Sequence, residues 1–372
     1  MTNLHLTMKI HKQYLLFLPL LVFTALLSGQ SPRTGDYWWR LHFGQETLKG
    51  NLQKTNSSSF SSQQKWIDHS WGYGALIAGI DNIGGFRAVK AFHSLLFFLL
   101  LLGVFSGYSG FQTLAGFLGV LLIYGHYALR PYLIGDIFLL VMVFAIVRLK
   151  SKGIILKKIA GWKPGLAVYA FFVLWSNLHG SVMAGFLLGA FLLFPFSRIF
   201  PWLASGFVQN TDKSSQFDLS WKEYFFTCMV AVAGIFTNPW FHRLPFFLLK
   251  YISGFYRFLP QIDEWQQPTL FLLGLMIVYL VFLFYRGLKN NIPKYYFLVL
   301  IILLGFGAAS TRNLPVLVIV GNLLTARNPA GFLIYLKNTW NSRIRVPAVL
   351  LLLLVVFVPL FSSFQKPRYN FE

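Results

Sequence analysis

The segment LIGDIFLLVMVFAIV (133–147), followed directly by RLKSKGIILKKIAGWK (148–163), decides the fold class of this chain. The first part holds a single charged residue, Asp136, and otherwise has the apolar composition of a helix that crosses a bilayer. The second part concentrates basic residues in one short loop, and cytoplasmic loops of membrane proteins carry such an excess of Lys and Arg. These basic residues are Arg148, Lys150, Lys152, Lys157, Lys158 and Lys163. The segment therefore predicts a membrane span whose carboxyl end lies in the cytoplasm.

The composition of the whole chain agrees with this reading. Of its 372 residues, 56% are hydrophobic and only 12% are charged, with a mean hydropathy of +0.59, which excludes a water-soluble domain. The net charge of +21 does not indicate nucleic-acid binding, because Lys and Arg lie in short loops between apolar runs. The single cysteine, Cys228, lies within an apolar run and has no partner for an intramolecular disulfide. We therefore predict an all-α, polytopic integral membrane protein.

The apolar runs predict about 11 membrane-spanning helices in a single transmembrane domain covering residues 1–372. The first run, Tyr14 to Ser28, follows Lys9 and Lys12 and has no A-x-A-like cleavage site after it. We expect an uncleaved anchor with a cytoplasmic N-terminus in the bacterial inner membrane. The other predicted spans are 88–105, 111–129, 133–147, 166–177, 182–200, 224–237, 269–285, 295–309, 314–325 and 347–361.

Two outer loops stand out on this topology. We predict that residues 31–87 form the first extracytoplasmic loop. Within it, the segment His69 to Gly84 is too short and too glycine-rich to span the membrane, so we predict an interfacial helix there. Residues 238–268 form an outer amphipathic loop, whose basic residues can guide an anionic lipid or simply anchor the loop to the surface. Only Asp212, Asp218 and Glu223 among the eleven acidic residues fall inside, which supports the orientation independently.

Polar residues near the ends of the predicted spans fall on the outer side. A charge at the bilayer centre costs roughly 2.5–3.5 kcal/mol, so a concentration of such residues at one face predicts a shared polar chamber that acts as a site. The candidate site residues are Asp36, His69, Arg130, Asp136, His179, Asn238, His242, Arg243, Glu264, Arg312 and Asn313.

Each candidate role has a structural alternative. Asp36 suits a general base or, with Asp136, a metal ligand, and it equally suits a helix N-cap. Arg130 and Asp136 can pair with each other or extend to the interface. His179 is either a ligand-binding group or a structural hydrogen-bonding group. Arg312 suits bidentate binding of phosphate, and it also suits helix capping.

Several short motifs, taken in order, resemble the GT-C superfamily of membrane glycosyltransferases, which includes the protein O-mannosyltransferases and the lipid A aminoarabinose transferase. The resemblance runs from the first span to about Pro329, and it has departures: Tyr37 stands where many relatives have a second acid, which weakens the case for metal coordination there, and we expect no sizeable extracytoplasmic C-terminal domain. The motifs are Asp36-Tyr-Trp-Trp, Asp68-His-Ser-Trp, Arg130-Pro with Asp136, Asn177-Leu-His-Gly, Asn238-Pro-Trp, Glu264-Trp, and Arg312-Asn with Pro315.

The resemblance implies transfer of a sugar from a polyprenyl-phosphate donor to an acceptor at the extracytoplasmic face, with Asp36 as the catalytic base and membrane lipids as partners. A divalent metal ion is compatible with it. Nucleotide cofactors and zinc peptidase chemistry have no support, because the chain lacks a Walker loop, a GxGxxG turn and an HExxH motif. Two alternatives remain open: a transporter or flippase of a lipid-linked or anionic solute, and a non-catalytic envelope scaffold.

Overall fold

A computed structural model of the chain describes residues 36–54, 66–105, 112–123, 128–151, 162–206, 219–253 and 266–326. Within these ranges the protein is helical and contains no strand, as predicted. The predicted first and last spans and the candidate Glu264 lie outside the described residues.

Thirteen α-helices and one 3-10 turn make up the described part of the chain. In chain order they are α1 (Asp36–Leu48), α2 (Trp71–Phe105), α3 (Gln112–Ile123), α4 (Tyr132–Ser151), α5 (Trp162–Leu178), α6 (Val182–Leu193), α7 (Phe196–Ile199), α8 (Pro201–Ala204), α9 (Trp221–Phe236), α10 (Arg243–Ser253), α11 (Leu270–Lys289), α12 (Lys294–Ala309), the 3-10 turn Thr311–Asn313 and α13 (Leu314–Thr325).

Three of these helices are long and apolar enough to cross a membrane, namely the segments Trp71–Val104, Tyr132–Lys150 and Leu270–Lys289. Two shorter helices, Val182–Leu193 and Lys294–Ala309, are equally apolar in character. The outward side chains of α11 are also apolar: Phe271 is 74% exposed and Val281 is 62% exposed. An exposed apolar surface of this kind suits contact with lipid, and the chain therefore has the features of an α-helical membrane protein. The full set of predicted spans remains a prediction.

The helix α2 contains a break that separates its two halves. Gly84 and Gly85 leave helical geometry, and Gly85 has φ = 64°, a left-handed backbone conformation that favours glycine. The half before the break packs against α1, where an ideal Cβ on Gly44 would overlap the backbone carbonyl of Gly74. The half after the break contains the predicted span 88–105. Gly44 and Gly74, the two glycines where α1 crosses α2, therefore let α1 lie directly on the backbone of α2.

One predicted span is shorter than expected. The apolar run 182–200 was predicted as one helix, but α6 ends at Leu193 and two short helices follow. Pro195 explains the end, because proline lacks an amide hydrogen and pushes the preceding residue out of helical geometry. Phe194 accordingly has ψ = 135°.

Successive helices run in opposite directions, so their termini gather at two opposite ends of the bundle. At the first, which we call the site end, the Trp71 indole donates to Asn177 Oδ1 at 2.9 Å, and Asn177 Nδ2 donates to the carbonyl of Thr237 at 2.9 Å. At the second, the basic end, Lys150 Nζ donates to the Tyr295 hydroxyl at 2.9 Å. Between the two ends runs α13, which is buried along nearly its whole length.

Acidic residues are distributed unequally between these ends. The acidic residues that the structure describes at the site end are Asp36, Glu46, Asp68, Asp81 and Asp136, whereas only Glu223 lies at the helix starts of the basic end. The basic end carries Arg148, Lys150, Lys163, Arg198, Lys222, Arg286, Lys289 and Lys294, whereas the basic residues toward the site end are Arg40, Lys49, Lys54, Arg87, Lys90, Arg130, Arg243, Lys250 and Arg312. Within the described residues the acidic side chains therefore favour the site end, while Lys and Arg occur at both ends.

Candidate functional site

Asp36 is the first residue of α1, where the positive end of the helix dipole favours a carboxylate. Arg130, which lies just before α4, donates from Nε to Asp36 Oδ2 at 3.0 Å. The Asp36 side chain remains 55% exposed, whereas the Arg130 side chain is 16% exposed. The pair therefore holds an accessible carboxylate at a fixed position at the site end.

A second ion pair lies one turn further along α1. Arg40 Nη1 contacts Asp68 Oδ1, and the same carboxylate oxygen accepts the backbone amide of Ser70 at 3.0 Å. Asp68 is buried, so the pair fixes α1 against the segment that carries His69. Neither residue was among the predicted site residues. The available signal was the spacing of Arg40 from Asp36, since residues four apart share a helix face.

His69 lies at the centre of the cluster. Its ring stacks on Phe247 with centroids 6.2 Å apart and meets the His179 ring edge-on at 6.5 Å. A Cβ on Gly180 would come within 2.9 Å of the His69 ring, so the backbone of Gly180 packs directly against it. Burial lowers the pKa of His69 to about 4, and the charges of Arg40 and Arg312 act in the same direction. His69 is therefore a neutral imidazole at physiological pH.

His179 is held by its neighbours between α5 and α6. Its Nδ1 accepts the backbone amide of Ser181 at 3.2 Å and lies 2.7 Å from Ser181 Oγ. The Trp175 indole donates to the same Ser181 hydroxyl oxygen at 3.0 Å. Because these contacts converge on one edge of the imidazole, the orientation of the His179 ring is fixed.

Asp136 joins the polar cluster to an apolar cavity of about 370 Å³ between α4, α6 and α12. Asp136 is 8% exposed and lies within electrostatic range of Arg312. The cavity wall includes Leu187 and Ile302, which are 56% and 54% exposed on the outer surface of the bundle. Ser181 also lines this cavity. The arrangement places a carboxyl group and a hydroxyl beside a space that suits an aliphatic chain.

Arg312 lies on the 3-10 turn between α12 and α13. The backbone amide of Thr311 donates to the Gln266 carbonyl at 3.1 Å and ties this turn to the start of α11. Arg312 is close enough to influence both His69 and Asp136 electrostatically. Its neighbour Asn313 serves the fold, since Asn313 Nδ2 donates to the Phe306 carbonyl at 2.8 Å near the end of α12.

The candidates between α9 and α10 do not join this cluster through any contact seen in the described residues. Asn238 is used within its own turn: Nδ2 donates to the Ile235 carbonyl at 2.8 Å, and Oδ1 accepts the Trp240 amide at 2.8 Å. His242 and Arg243 are exposed at the start of the amphipathic helix α10. Asn238 therefore has a structural role in the turn, and the other two residues lie on the surface.

A metal site receives no support from the described residues, which bring together no group of three or more His, Cys, Asp or Glu side chains. Asp36 is engaged by Arg130, and Asp136 lines a cavity whose other walls are mostly apolar. This donor set does not fit a dedicated divalent site, which uses several oxygen ligands around one point.

Buried polar groups also occur away from the site end. Arg286 on α11 is 2% exposed and Asn322 on α13 is fully buried, both toward the basic end. Near the break in α2, the Tyr73 hydroxyl contacts His93 Nε2 at 2.8 Å. The polar residues of α11 and α13 therefore face the interior of the bundle rather than lipid.

The chain has no match among protein-family models, curated proteins or solved structures. Fold and site together define a helical membrane protein with a cluster of arginine, aspartate and histidine side chains beside an apolar cavity.

Proposed function

We propose that this protein is a GT-C-like membrane glycosyltransferase that moves a sugar from a polyprenyl-phosphate donor to an acceptor hydroxyl. The observation that carries the proposal is the position of Asp136 and Ser181 in the wall of an apolar cavity, with Arg312 within electrostatic range of Asp136. A substrate with an anionic headgroup and a long apolar tail matches both environments. The tail would lie in the cavity and the phosphate near Arg312.

The reaction would be a direct displacement at the anomeric carbon of the sugar. The acceptor oxygen forms the new bond to this carbon while the bond from the carbon to the phosphate oxygen breaks, which inverts the configuration. Asp36 takes the proton of the acceptor hydroxyl, and Arg130 orients the Asp36 carboxylate. The phosphate leaves with increased negative charge, which Arg312 stabilises.

The proposed orientation puts the site end outside and the basic end in the cytoplasm of a bacterial inner membrane, with about 11 spans. The dense run of basic residues from Arg148 to Lys163 in the sequence, which begins at the basic end, supports it. On this orientation the site would draw its donor from the outer leaflet. The acceptor would approach from the extracytoplasmic side, where Asp36 is exposed.

Transport of an anionic lipid is the second candidate, and the buried Arg286 and Asn322 favour it, because intramembrane polar residues often mark a transport path. Between these residues and the site end, however, α13 presents the fully buried apolar residues Leu317, Val318, Ile319 and Val320. No polar side chain of that stretch of α13 connects the two ends. We therefore favour the transferase over the transporter.

Lipids that copurify with the protein test the cavity. Mass spectrometry should detect a polyprenyl phosphate or its glycoside bound to the wild type. Much less should be bound to Leu187→Trp, because the larger side chain in the cavity wall occupies space that the lipid tail needs. Leu166→Trp is the matched control, because Leu166 is 57% exposed on α5, and Leu166 is not part of the cavity wall. Loss of the lipid from both variants, or from neither, would contradict the proposed tail site.

Asp36→Asn tests the chemistry. In proteoliposomes supplied with polyprenyl-phosphate sugars, this variant should insert normally and transfer sugar at least about 100-fold more slowly, because a positioned base contributes roughly 10²–10⁴-fold. Glu46→Gln, a carboxylate on the same helix paired with Lys49, should leave transfer unchanged. Undiminished transfer by Asp36→Asn would reject the base. A wild type that binds no such lipid and transfers no sugar would leave the scaffold as the better account.

A further inference from the structure

A second cavity, of about 250 Å³, lies between α4, α5, α6 and α9. Among the residues that the structure describes, it shares no wall residue with the cavity beside Asp136. Gly189 and Ala190 of α6 line the second cavity, whereas Leu187 and Leu188 line the cavity beside Asp136. The two cavities therefore lie on different faces of α6 and can be filled independently.

The second cavity opens to the outer surface of the bundle. Its wall includes Val141, Ala145 and Ala167, which are all exposed, and Val141 is 48% exposed. The wall is almost entirely apolar, and Thr227, one of its two polar residues, already donates its hydroxyl to the Glu223 carbonyl at 2.8 Å. Because an apolar cavity does not hold water, an aliphatic chain from a neighbouring lipid is the filling that this wall suits.

Tryptophans at the starts of α5 and α9 indicate how deep the second cavity lies in the membrane. Trp162 is 74% exposed and Trp221 is 37% exposed, and tryptophans of membrane proteins gather at the level of the lipid headgroups. The wall residues Ala167 and Thr227 follow these tryptophans by five and six positions, which at about 1.5 Å per residue places them roughly 8–9 Å further along. The second cavity therefore lies at the depth of the acyl chains.

Two basic residues lie on the same helix faces as the cavity wall, toward the headgroup level. Lys163 precedes the wall residue Ala167 by four positions, and Arg148 follows the wall residue Ala145 by three. Residues at these spacings are neighbours on one helix face. The Lys163 ammonium also lies over the Trp162 ring, 5.5 Å from its centroid, which keeps this charge at the headgroup level.

One acidic residue, Glu223, lies one turn before the wall residue Thr227. Its carboxylate accepts the Ser220 backbone amide at 2.8 Å and is engaged in the capping box of α9. Both α5 and α9 begin at this end of the bundle, so the positive ends of two helix dipoles add to the charges of Arg148 and Lys163. The balance of charge at the opening is therefore positive, and a lipid with an anionic headgroup complements it.

We infer that the second cavity is a binding site for an anionic phospholipid, with one acyl chain between the four helices and the phosphate beside Arg148 and Lys163. This site is separate from the proposed donor site and does not depend on sugar transfer. It lies at the basic end, so its lipid comes from the leaflet opposite to the one that supplies the donor, which is the cytoplasmic leaflet on the proposed orientation. The bound chain packs against α4 and α6, which also form walls of the cavity beside Asp136.

Native mass spectrometry of the full-length protein in detergent measures the headgroup preference. The probes are phosphatidylglycerol and phosphatidylcholine with identical acyl chains. At low salt, the wild type should prefer phosphatidylglycerol by about 5-fold for each of the two basic residues. Arg148→Gln and Lys163→Gln should each lower the preference about 5-fold. Lys222→Gln is the matched control, because Lys222 lies on the face of α9 that carries the exposed Phe226 and Met229, and it should leave the preference unchanged.

Ala145→Trp tests whether the acyl chain lies in the second cavity. The larger side chain occupies the opening, so this variant should lose the bound phosphatidylglycerol. Ala170→Trp is the matched control, because Ala170 is also an exposed alanine and lines neither cavity. Leu187→Trp should bind phosphatidylglycerol like the wild type, since Leu187 belongs to the other cavity.

Cys228 gives a readout that is independent of lipid counting, because it lies in the wall of the second cavity and is the only cysteine of the chain. Phosphatidylglycerol titrated into the detergent-solubilised wild type should slow the modification of Cys228 by N-ethylmaleimide, as measured by the mass of the intact protein. A polyprenyl phosphate should not slow it.

Three results would overturn the inference: equal affinity for the two phospholipids, equal binding by Ala145→Trp and Ala170→Trp, or a Cys228 modification rate that ignores phosphatidylglycerol. Slowing by a polyprenyl phosphate alone would also overturn it and would assign the second cavity to the donor tail. If the wild type transfers no sugar but binds phosphatidylglycerol as described, the glycosyltransferase proposal fails and the phospholipid site stands.

Discussion

The crossing of α1 and α2 allows a quantitative test of how the site is held. Gly44 on α1 lies against the backbone of Gly74 on α2, and an ideal Cβ on Gly44 would overlap the Gly74 carbonyl and come within 3.0 Å of the Ala78 Cβ. Because the carbonyl belongs to the backbone, no side-chain rotation relieves the overlap. Gly44→Ala therefore forces the two helices apart by on the order of 1 Å, and such overpacking typically costs about 1–3 kcal/mol.

Gly79→Ala is the matched control for this substitution. Gly79 lies on the same half of α2, and a Cβ there meets no heavy atom within 4 Å. Both substitutions gain the higher helix propensity of alanine, worth about 1 kcal/mol, so this gain cancels in the comparison. The free energy of unfolding should be about 1–3 kcal/mol lower for Gly44→Ala than for Gly79→Ala.

Equilibrium unfolding in mixed detergent micelles measures this difference directly. Sugar transfer provides the second readout, because α1 carries Asp36 eight residues before Gly44 and its movement opens the 3.0 Å contact with Arg130. A misplacement of about 1 Å can reduce a rate by about 100-fold, so Gly44→Ala should also transfer more slowly than Gly79→Ala. Equal stability of the two variants would refute the close backbone crossing.

Two further predictions concern pH and orientation. Because the folded protein holds the pKa of His69 at about 4, below its ordinary value, the unfolded chain binds more protons between about pH 6.5 and 4. The free energy of unfolding should therefore fall as the pH falls through this window. His69→Gln should make this free energy less dependent on pH. A wild-type free energy of unfolding that rises on acidification would contradict the lowered pKa of His69. In a Cys228→Ser background, a membrane-impermeant thiol reagent added outside should label Lys49→Cys and spare Lys289→Cys, and labelling of both from the same side would contradict the proposed orientation.

Much of the helical architecture could be predicted from hydropathy. The predicted runs 295–309 and 314–325 correspond to α12 and α13 within one residue. Hydropathy succeeds here because an apolar run bounded by polar residues has few alternatives to a helix in a membrane. It failed at residues 182–200, where the apolar character continues through Pro195 but the backbone does not.

The partners within the site could not be predicted in the same way. Orientation alone put Asp36, His69, Arg130, Asp136, His179 and Arg312 at one end, and the structure brings them together there. Sequence spacing does not reveal that Arg130 pairs with Asp36, since 94 positions separate them, or that Arg40 pairs with Asp68. Sequence also does not reveal that Asn238 is engaged within its own turn, because turn-forming asparagines and ligand-binding asparagines look alike in sequence. The functional roles of all these residues remain predictions.

The three aspartates of the cluster differ in how much of each side chain is exposed to solvent. Asp68 is buried and engaged by Arg40 and the Ser70 amide, so its charge is committed to holding α1. Asp136 is buried in the wall of the apolar cavity, on the side where a lipid tail would lie. A base has to meet an acceptor that arrives from water, and only the carboxylate of Asp36 is more than half exposed among the three. This difference in exposure is why we place the base on α1. We place the donor site between α4, α6 and the turn of Arg312 for the same reason.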